Sequence, residues 1–327
     1  MNPVRENDKE GVNPVRDNHS QKLNESFEKP NLSNGIKIPY FPGCTLKTTA
    51  KNFETSALAV AGSMGIDLVE LPRWNCCGTV SSLTSDDLMH HLAPIRDLVR
   101  VEEMNENGEL KDEYRLVALC SMCFNVLKRS HLRVMENPEE LEKINNFMYL
   151  EKDYNGKVEV VHFLELLRDI GFDKVNEKVK RPLAGLKVAP YYGCLMLRPK
   201  EIGIDDPEDP TIQSDLLVAL GAEAINNPFK TRCCGSYQTV RDKYAVAELA
   251  YDILSRARKE GAECVTTSCP LCMFNLADRQ KEVMERHPEF EPMPVLYFTQ
   301  LMALAFGLEE KVYGFDQNYI DPRPLLK

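Results

Sequence analysis

The sequence predicts an α/β protein built from two pseudo-symmetric, duplicated cysteine-rich domains that follow a disordered N-terminal tail. Two observations support this fold class: one pattern of cysteines occurs twice in the same order, and strand-like apolar runs alternate with helical periodicity in both halves. A third is the length, because 327 residues are enough for two domains that each bury a core. Alternation of this kind favours a mostly parallel sheet in each half.

Residues 1–36 are predicted to form a disordered polar tail. They contain a short internal repeat, N-P-V-R, at residues 2 and 13, and their composition cannot support a packed core. Ordered sequence is expected to begin at I-K-I-P-Y-F-P-G-C. There an apolar run ends in Pro42 and Gly43, as a buried strand does when it enters a turn.

The internal duplication sets the predicted domain limits. The stretch Y-F-P-G-C-T-L at residues 40–46 matches Y-Y-G-C-L-M-L at 191–197, and a C-C-G triplet and a C-X-X-C motif follow in each half. The two repeats are predicted to close with corresponding helices, V-V-H-F-L-E-L-L at residues 160–167 and V-L-Y-F-T-Q-L-M at 295–302. The pattern is interrupted near residues 175–185. We therefore predict an N-terminal CCG domain over residues 37–180 and a C-terminal CCG domain over residues 181–327.

The order of elements is clearest in the second half. There a strand-like V-A-P-Y-Y is followed by the helical segments S-D-L-L-V-A-L and A-V-A-E-L-A-Y-D-I-L and by the strand-like A-E-C-V-T-T. In such α/β units the motif cysteines fall on loops after strands and at helix starts, where these folds place their sites. A proline-rich segment from residue 199 has no counterpart in the first half. We expect it to form a loop that walls a pocket beside Cys194.

Composition and charge exclude several functional classes. The net charge is −10, from 40 basic and 50 acidic residues, and the sequence has no basic stripe with interleaved aromatic residues, so no nucleic-acid partner is expected. No apolar run has the length of a membrane span, and the first ten residues lack the apolar segment of a secretory signal. The sequence therefore predicts a cytoplasmic protein. Its eleven cysteines then indicate metal binding or redox chemistry over disulfide bonds.

Ten of the eleven cysteines form two sets of five, which we call the N-terminal and C-terminal quintets. Each has a lone cysteine after glycine, a C-C-G triplet, and a C-X-X-C motif at a predicted helix start, where free backbone N–H groups stabilise thiolates. Adjacent cysteines on a straight strand point to opposite faces, so the chain must bend at Gly78 and Gly235 for both to reach one centre. The quintets are Cys44, Cys76, Cys77, Cys120 and Cys123, and Cys194, Cys233, Cys234, Cys269 and Cys272.

The cysteine pattern leaves several kinds of site open. Thiolate-only sets of five suit an iron–sulfur cluster, where several metal atoms share ligands. Zinc in at least one half is the main alternative, although its closed tetrahedral sites use four ligands. Dithiol redox chemistry or simple packing is a further one. Cys264 and His162 are predicted to be core residues. Glycine-rich phosphate motifs are missing from the sequence, so any flavin is expected on another chain.

The double cysteine arrangement resembles the B subunit of heterodisulfide reductase and its bacterial relatives. The resemblance covers about residues 37–305 and rests on the motifs Y-F-P-G-C-T-L-K, W-N-C-C-G, Y-Y-G-C-L-M-L-R-P, K-T-R-C-C-G and T-S-C-P-L-C. It implies that each quintet binds a noncubane 4Fe-4S cluster and that a disulfide lies between the two clusters. One departure is Ser236, which stands where many members have a second glycine after C-C-G and which bears on the shape of the substrate pocket.

The resemblance also implies a function. The chain would be the catalytic subunit of a heterodisulfide reductase-like complex, which reduces CoM-S-S-CoB or an analogous disulfide in one-electron steps. The implied partners are a ferredoxin-type protein resembling the C subunit of heterodisulfide reductase and a flavin and iron–sulfur protein resembling its A subunit. The cysteines that would act catalytically through their clusters are Cys76, Cys77, Cys233 and Cys234. Two alternative functions remain: a cysteine-rich electron-transfer subunit of another oxidoreductase, of the lactate or glycolate oxidation type, and a zinc-bound scaffold.

Four basic residues are candidates for binding anionic groups of the substrate. They lie close in sequence to the quintet cysteines, and charged donors of this kind pair with carboxylate or phosphate groups. A solvated surface charge is an equally good interpretation of each. The four residues are Lys47, Arg198, Lys230 and Arg232.

Overall fold

Two four-stranded parallel sheets, one in each half of the chain, form the framework of the protein. The computed structural model describes residues 35–79 and 87–326, so the predicted tail over residues 1–36 lies, except for Gly35 and Ile36, outside the described residues. Ile36 already belongs to the first strand. The α/β architecture with two equivalent halves confirms the predicted fold class.

The strand order is the same in both sheets. The strands of the described residues are β1 (Ile36–Phe41), β2 (Ile66–Glu70), β3 (Arg115–Ala118), β4 (Glu159–His162), β5 (Lys187–Pro190), β6 (Glu223–Ala224), β7 (Cys264–Thr267) and β8 (Val295–Tyr297). The first sheet has the order β2-β1-β3-β4 and the second the order β6-β5-β7-β8, with every neighbouring pair parallel. The segment between β4 and β5 contains the predicted domain boundary.

Helices connect successive strands in each half, because parallel strands need crossover connections. In the first half they are α1 (Gly43–Leu46), α2 (Lys51–Ser63), α3 (Leu92–Glu106), α4 (Ser121–Glu136), α5 (Pro138–Phe147), α6 (Phe163–Ile170) and α7 (Phe172–Asn176). In the second half they are α8 (Ile212–Ala219), α9 (Gln238–Arg241), α10 (Lys243–Lys259), α11 (Pro270–Met273), α12 (Gln280–Arg286) and α13 (Phe298–Ala305). A π-helical turn at Phe274–Asp278 joins α11 to α12.

The central strands are covered on both faces. Every residue of β3 and of β7 is buried, as expected for strands in the middle of a parallel sheet. Cys264 at the start of β7 and His162 at the end of β4 are both fully buried, in agreement with their prediction as core residues. Burial lowers the pKa of His162 to about 3, so this imidazole stays neutral.

The two halves share part of their core. Helix α13 of the second half is buried along its whole length and packs against α2 of the first half. Phe53 on α2 stacks on Tyr297 with ring centroids 4.2 Å apart, and the hydroxyls of Ser56 and Thr299 are hydrogen-bonded at 2.7 Å. This packing fixes the relative positions of the two sheets.

The proline-rich loop after Arg198 packs against the first half. The side-chain amide of Asn125 on α4 donates to the carbonyl oxygens of Leu195 and Arg198, both at 2.8 Å. Arg168 on α6 donates to the carbonyl of Ile204 at 2.6 Å. These bonds draw the loop towards the first half, and the residues that line the cleft described below include none of residues 199–211. The loop therefore ties the halves together, whereas its sequence predicts a pocket wall.

Candidate metal centre

The lone cysteine and the C-X-X-C motif of each half lie at the carboxyl ends of parallel strands or at helix starts, and the C-C-G triplets lie in the loops after β2 and β6. Cys44 lies in α1, just after β1, and Cys120 directly precedes α4, just after β3. In the second half Cys269 directly precedes α11, after β7. Because β1 and β3 are neighbours and point the same way, their ends bring these cysteines to one edge of the sheet.

The N-terminal quintet is a continuous set of sulfur contacts. The Sγ atoms of Cys44 and Cys76 lie 3.8 Å apart, and those of Cys77 and Cys123 lie 3.6 Å apart. Cys76 and Cys77 also contact each other through their thiols, and so do Cys120 and Cys123. All five predicted members are therefore brought together.

The C-terminal quintet repeats this arrangement. The Sγ atoms of Cys194 and Cys233 lie 4.0 Å apart, and those of Cys234 and Cys272 lie 3.5 Å apart. Thiol contacts between Cys233 and Cys234 and between Cys269 and Cys272 complete the set. The equivalent pairs are in contact in both halves, so the duplication extends to the geometry of the site.

The two quintets meet where the halves of the molecule meet. The thiols of Cys120 and Cys269, one from each quintet, are close enough to shift each other's pKa. The residues that follow them are in direct contact: the hydroxyls of Ser121 and Ser268 are 2.7 Å apart, and the amide of Ser121 donates to the carbonyl of Ser268 at 3.3 Å. The centres that the quintets could hold would therefore be adjacent.

Glycines make the close approach of these loops possible. Gly78 and Gly235 have positive φ values of 70° and 97°, so the chain bends after each cysteine pair as the sequence predicts. Sequence reasoning missed the role of Gly43, whose φ is 71° and where a Cβ atom would lie 3.1 Å from the Sγ of Cys123. The equivalent Cβ at Gly193 would lie 3.4 Å from the Sγ of Cys272. Each lone cysteine thus follows a glycine because the backbone passes next to a sulfur.

The thiols in contact do not ionise independently. Hydrogen bonds from Cys194 and Cys234 lower the pKa of Cys233 to about 2, and a bond to Cys233 contributes most to raising the pKa of Cys234 to about 12. In the first half the contact with Cys123 holds the pKa of Cys77 well below its usual value. Five adjacent thiolates repel one another, so full ionisation of a quintet requires positive charge at its centre. A bound metal supplies that charge and releases the protons.

The number and chemistry of the donors suit a centre with several metal atoms better than a single ion. Each quintet offers five cysteine thiols, one more than the four ligands of a closed tetrahedral zinc site. Thiolate-only sets of this size suit iron shared between sulfurs.

A shallow cleft that opens to the surface lies beside the C-terminal quintet. It reaches across the interface, because Ser121 and Met122 of the first half line it together with residues of the second half. Ser236, the predicted departure from the family pattern, is in its wall and has a φ of 50°, a left-handed conformation that favours glycine. The other residues of the wall are Tyr192, Cys194, Leu195, Cys233, Cys234, Cys269, Leu271 and Cys272.

The four predicted substrate-binding cations all have carboxylate partners and lie outside this wall. Lys47 has the strongest partners, with Glu54 and Glu70 both 2.6 Å from its Nζ atom. The remaining pairs are Arg198 with Glu208 at 3.0 Å, Lys230 with Asp209 at 2.7 Å, and Arg232 with Asp252 at 2.9 Å.

Three polar residues near the quintets were missed by sequence reasoning. The hydroxyl of Thr79 lies 2.9 Å from the Sγ of Cys77, and the amide of Asn275 lies 3.4 Å from the Sγ of Cys234. Asp97 on α3 accepts a hydrogen bond from the backbone amide of Asn75 at 2.7 Å and so holds the first C-C-G loop. Only Asn275 had a sequence signal, because an asparagine follows the C-X-X-C motif in both halves.

The fold and site define a class: an α/β protein with duplicated cysteine-rich domains, each of which brings five thiols together. The family of the Cysteine-rich domain (CCG) matches residues 38–128 and 188–277, one match in each half. The chain belongs to this family and, within it, to the family of the B subunit of heterodisulfide reductase, which the motifs indicated.

Similarity to known proteins extends over most of the chain. The 8-methylmenaquinol:fumarate reductase membrane anchor subunit of Wolinella succinogenes is 33% identical over 88% of this chain and 99% of its own length. The B subunit of the ferredoxin/F(420)H(2)-dependent CoB-CoM heterodisulfide reductase of Methanosarcina acetivorans is 28% identical over 87% of this chain and 94% of its own length. A hypothetical protein from Helicobacter pylori shares the fold, with a TM-score of 0.67, 14% identity, and coverage of 92% of this chain and 56% of that one.

These similarities establish the general chemistry. The chain is an iron–sulfur, electron-transfer protein of the oxidoreductase class and a subunit of heterodisulfide reductase type. Within the described residues, every helix is too short or too polar to span a bilayer. The cytoplasmic location stays a prediction.

Proposed function

We propose that this chain is the catalytic subunit of a heterodisulfide reductase-like complex and reduces a disulfide at two noncubane 4Fe-4S clusters, one held by each quintet. The observation that carries the proposal is the contact between Ser121 and Ser268, which directly follow Cys120 and Cys269 and so make the two centres neighbours. The cleft beside this contact has walls from both halves, so a disulfide bound there would lie against the junction of the two quintets.

The balance of the reaction indicates what the chain must provide. Cleavage of R–S–S–R′ consumes two electrons and two protons and yields two thiols. When bound, the clusters would supply electrons one at a time, drawn from the ferredoxin-type and flavin proteins that we propose as partners. The chain itself would position the disulfide and exclude water from the inner sulfurs, since Cys77, Cys120, Cys234 and Cys269 are all buried.

Tyr237 is a candidate for hydrogen bonding to the substrate. It follows Ser236 of the cleft wall, is 38% exposed, and lies within electrostatic range of cysteines from both quintets. Burial and the nearby sulfurs raise its pKa to about 12, so the phenol keeps its proton at neutral pH. Its hydroxyl has no hydrogen-bond partner among the described residues. It can therefore donate to a thiolate that forms in the cleft.

Two of the four cations suit the recognition of anionic substrate groups better than the others. The partners of Arg198 and Lys230 are loop carboxylates, Glu208 and Asp209, that are 83% and 82% exposed. The pair of Arg198 and Glu208 is exposed on both sides and contributes little free energy, so a substrate carboxylate or phosphate could replace Glu208. The Lys230 side chain is only 11% exposed, but the exposed Asp209 could likewise be replaced by a substrate anion. Lys47 is held by two glutamates and is the poorest candidate. Arg232 stacks over Phe229 and pairs with Asp252.

Metal analysis and spectroscopy of anaerobically purified protein test this proposal. We expect about eight irons per chain and, after oxidation in the presence of one particular disulfide, a paramagnetic species that other disulfides do not produce. Arg198→Ala should weaken that response with the iron content unchanged. Zinc at about one atom per half would instead support a scaffold.

A second candidate function is electron transfer without disulfide chemistry, as in other oxidoreductases of the lactate or glycolate oxidation type. It is favoured by the similarity to nearly the whole length of a protein whose complex is named for menaquinol and fumarate. Ser236, in place of the second glycine of many heterodisulfide reductase B subunits, points in the same direction because it changes the cleft wall. In that case the clusters would be reduced and oxidised normally, but no disulfide would change their spectrum.

A further inference from the structure

Asn275 breaks the symmetry between the two quintets. The first half reads C-F-N after its C-X-X-C motif and the second half reads C-M-F-N, so one extra residue precedes Asn275. An extra residue turns the following side chains by about 100° around a helix. The π-helical turn at Phe274–Asp278 accommodates the extra residue. Single-residue insertions in helices often form such turns near functional sites.

The insertion gives the two asparagines different partners. The amide of Asn125 is used by the carbonyl oxygens of Leu195 and Arg198, in the loop of the other half. The amide of Asn275 faces its own C-C-G loop. Its Nδ2 lies 2.9 Å from the carbonyl oxygen of Ser236, 3.2 Å from the carbonyl oxygen of Cys234 and 3.4 Å from the Sγ of Cys234.

The environment of Asn275 fixes the orientation of its amide. All three neighbouring groups are hydrogen-bond acceptors, so the NH₂ group must face them, and the reverse orientation would oppose oxygen to oxygen. Asn275 is fully buried, and its Oδ1 has no hydrogen-bond partner among the described residues. A buried side chain with an unsatisfied acceptor is unfavourable in a purely structural role. The role of Asn275 therefore depends on the N–H donors of its side chain.

We propose that Asn275 is a positioning residue that donates to the Sγ of Cys234 and raises the reduction potential of the C-terminal centre. The inference rests on the proposed assignment of a cluster to this quintet. A hydrogen bond to a ligand sulfur stabilises the reduced, more negative state of a cluster more than the oxidised state. In the first half the matching sulfur, that of Cys77, contacts the hydroxyl of Thr79 instead. The two centres are thus tuned by different donors.

The test is an EPR-monitored redox titration of the anaerobically purified full-length chain and of two variants. Asn275→Leu removes the donors with little change in volume. Asn125→Leu is the matched control, because it removes the same amide from the equivalent helix without touching a sulfur. We expect Asn275→Leu to keep its iron and sulfide and to shift one centre to a lower potential, so that its reduced-to-oxidised ratio at a fixed potential falls about ten-fold. Asn125→Leu should leave both potentials unchanged.

Unchanged potentials in an iron-replete Asn275→Leu protein would overturn the inference while leaving the proposed function intact. If this variant loses iron, pulsed EPR of the native sequence labelled with ¹⁵N in its asparagine side chains decides the question. A hyperfine coupling from one side-chain nitrogen to one centre supports the bond, and its absence overturns it. A native protein without iron would remove the proposed function and this inference together.

Discussion

Glycine at position 43 is required by both conformation and space. Its φ of 71° is unfavourable for other residues, and a Cβ atom there would be 3.1 Å from the Sγ of Cys123 and 3.3 Å from the ring of Phe41. We expect Gly43→Ala to lower the free energy of unfolding by about 1–3 kcal/mol and to reduce iron binding by the first half. Chemical denaturation and iron analysis under anaerobic conditions measure both effects.

Gly62→Ala is the matched control for this substitution. Gly62 lies in α2, has no positive φ, and an added Cβ would meet no atom within 4 Å. The free energy of unfolding of Gly62→Ala should rise by about 0.4–1 kcal/mol, because alanine restricts the unfolded chain without straining the native one. Equal losses in the two variants would show that the sulfur contact at Gly43 has no special effect.

Ser236 is a second residue whose conformation favours glycine. With a φ of 50° it is one of three non-glycine residues with positive φ in the described part of the chain. We expect Ser236→Gly to be more stable than Ser236→Ala by about 1–2 kcal/mol, because only alanine keeps the left-handed strain. A pair of urea titrations compares them directly. If alanine proved the more stable, the strain at the cleft wall would be disproved.

His131 gives the protein a predictable pH dependence. Burial lowers its pKa from 6.5 to about 4, and its Nδ1 lies 2.7 Å from the hydroxyl of Tyr154. The unfolded state therefore binds a proton more readily than the native state. The contribution of His131 to the free energy of unfolding is present above pH 6.5 and is lost as the pH falls towards 4, by roughly 3 kcal/mol in total. His131→Gln, which stays neutral, should flatten this part of the stability profile. Parallel profiles for both proteins would contradict the assignment.

At the scale of elements, the contact between α2 and α13 connects the two halves. Phe53 is fully buried and stacks on Tyr297, whereas Phe147 at the end of α5 is 56% exposed. We expect Phe53→Ala to lower the free energy of unfolding by about 3–5 kcal/mol, because it leaves a cavity between the halves. Phe147→Ala should change it by no more than about 0.5 kcal/mol. Denaturation curves of both variants test this difference.

Local patterns predicted the elements well because each pattern reports on burial along one segment. The run V-A-P-Y-Y includes three of the four residues of β5, and A-E-C-V-T-T contains β7, since both are mostly buried strands of a parallel sheet. The two segments predicted as closing helices were only partly right: each forms a strand and then the start of a helix, β4 with α6 and β8 with α13. The π-helical turn was not predictable in this way. One extra apolar residue fits a helical pattern equally well whether it forms a bulge or not.

Relations between the halves depend on tertiary packing, and there the sequence was less informative. The motifs indicated two quintets, but only the folded chain shows that they meet at Cys120 and Cys269, beside the contact of Ser121 with Ser268. The loop after Arg198 turned towards the first half because Asn125 holds it, and no local pattern records a partner 70 residues away. The carboxylate partners of the four cations could not be predicted either, because local sequence patterns do not show such tertiary contacts.

The whole molecule predicts how iron should be lost when single cysteines are replaced. Each quintet supplies its own five thiols, so two centres should load separately. Cys44→Ser should remove about half of the iron. Cys264→Ala is the matched control, because this cysteine is buried in β7 outside both quintets, and it should keep the full amount. Complete loss of iron in Cys44→Ser would mean that the ten thiols act as one site, and loss in Cys264→Ala would mean that the assignment of the quintets is wrong.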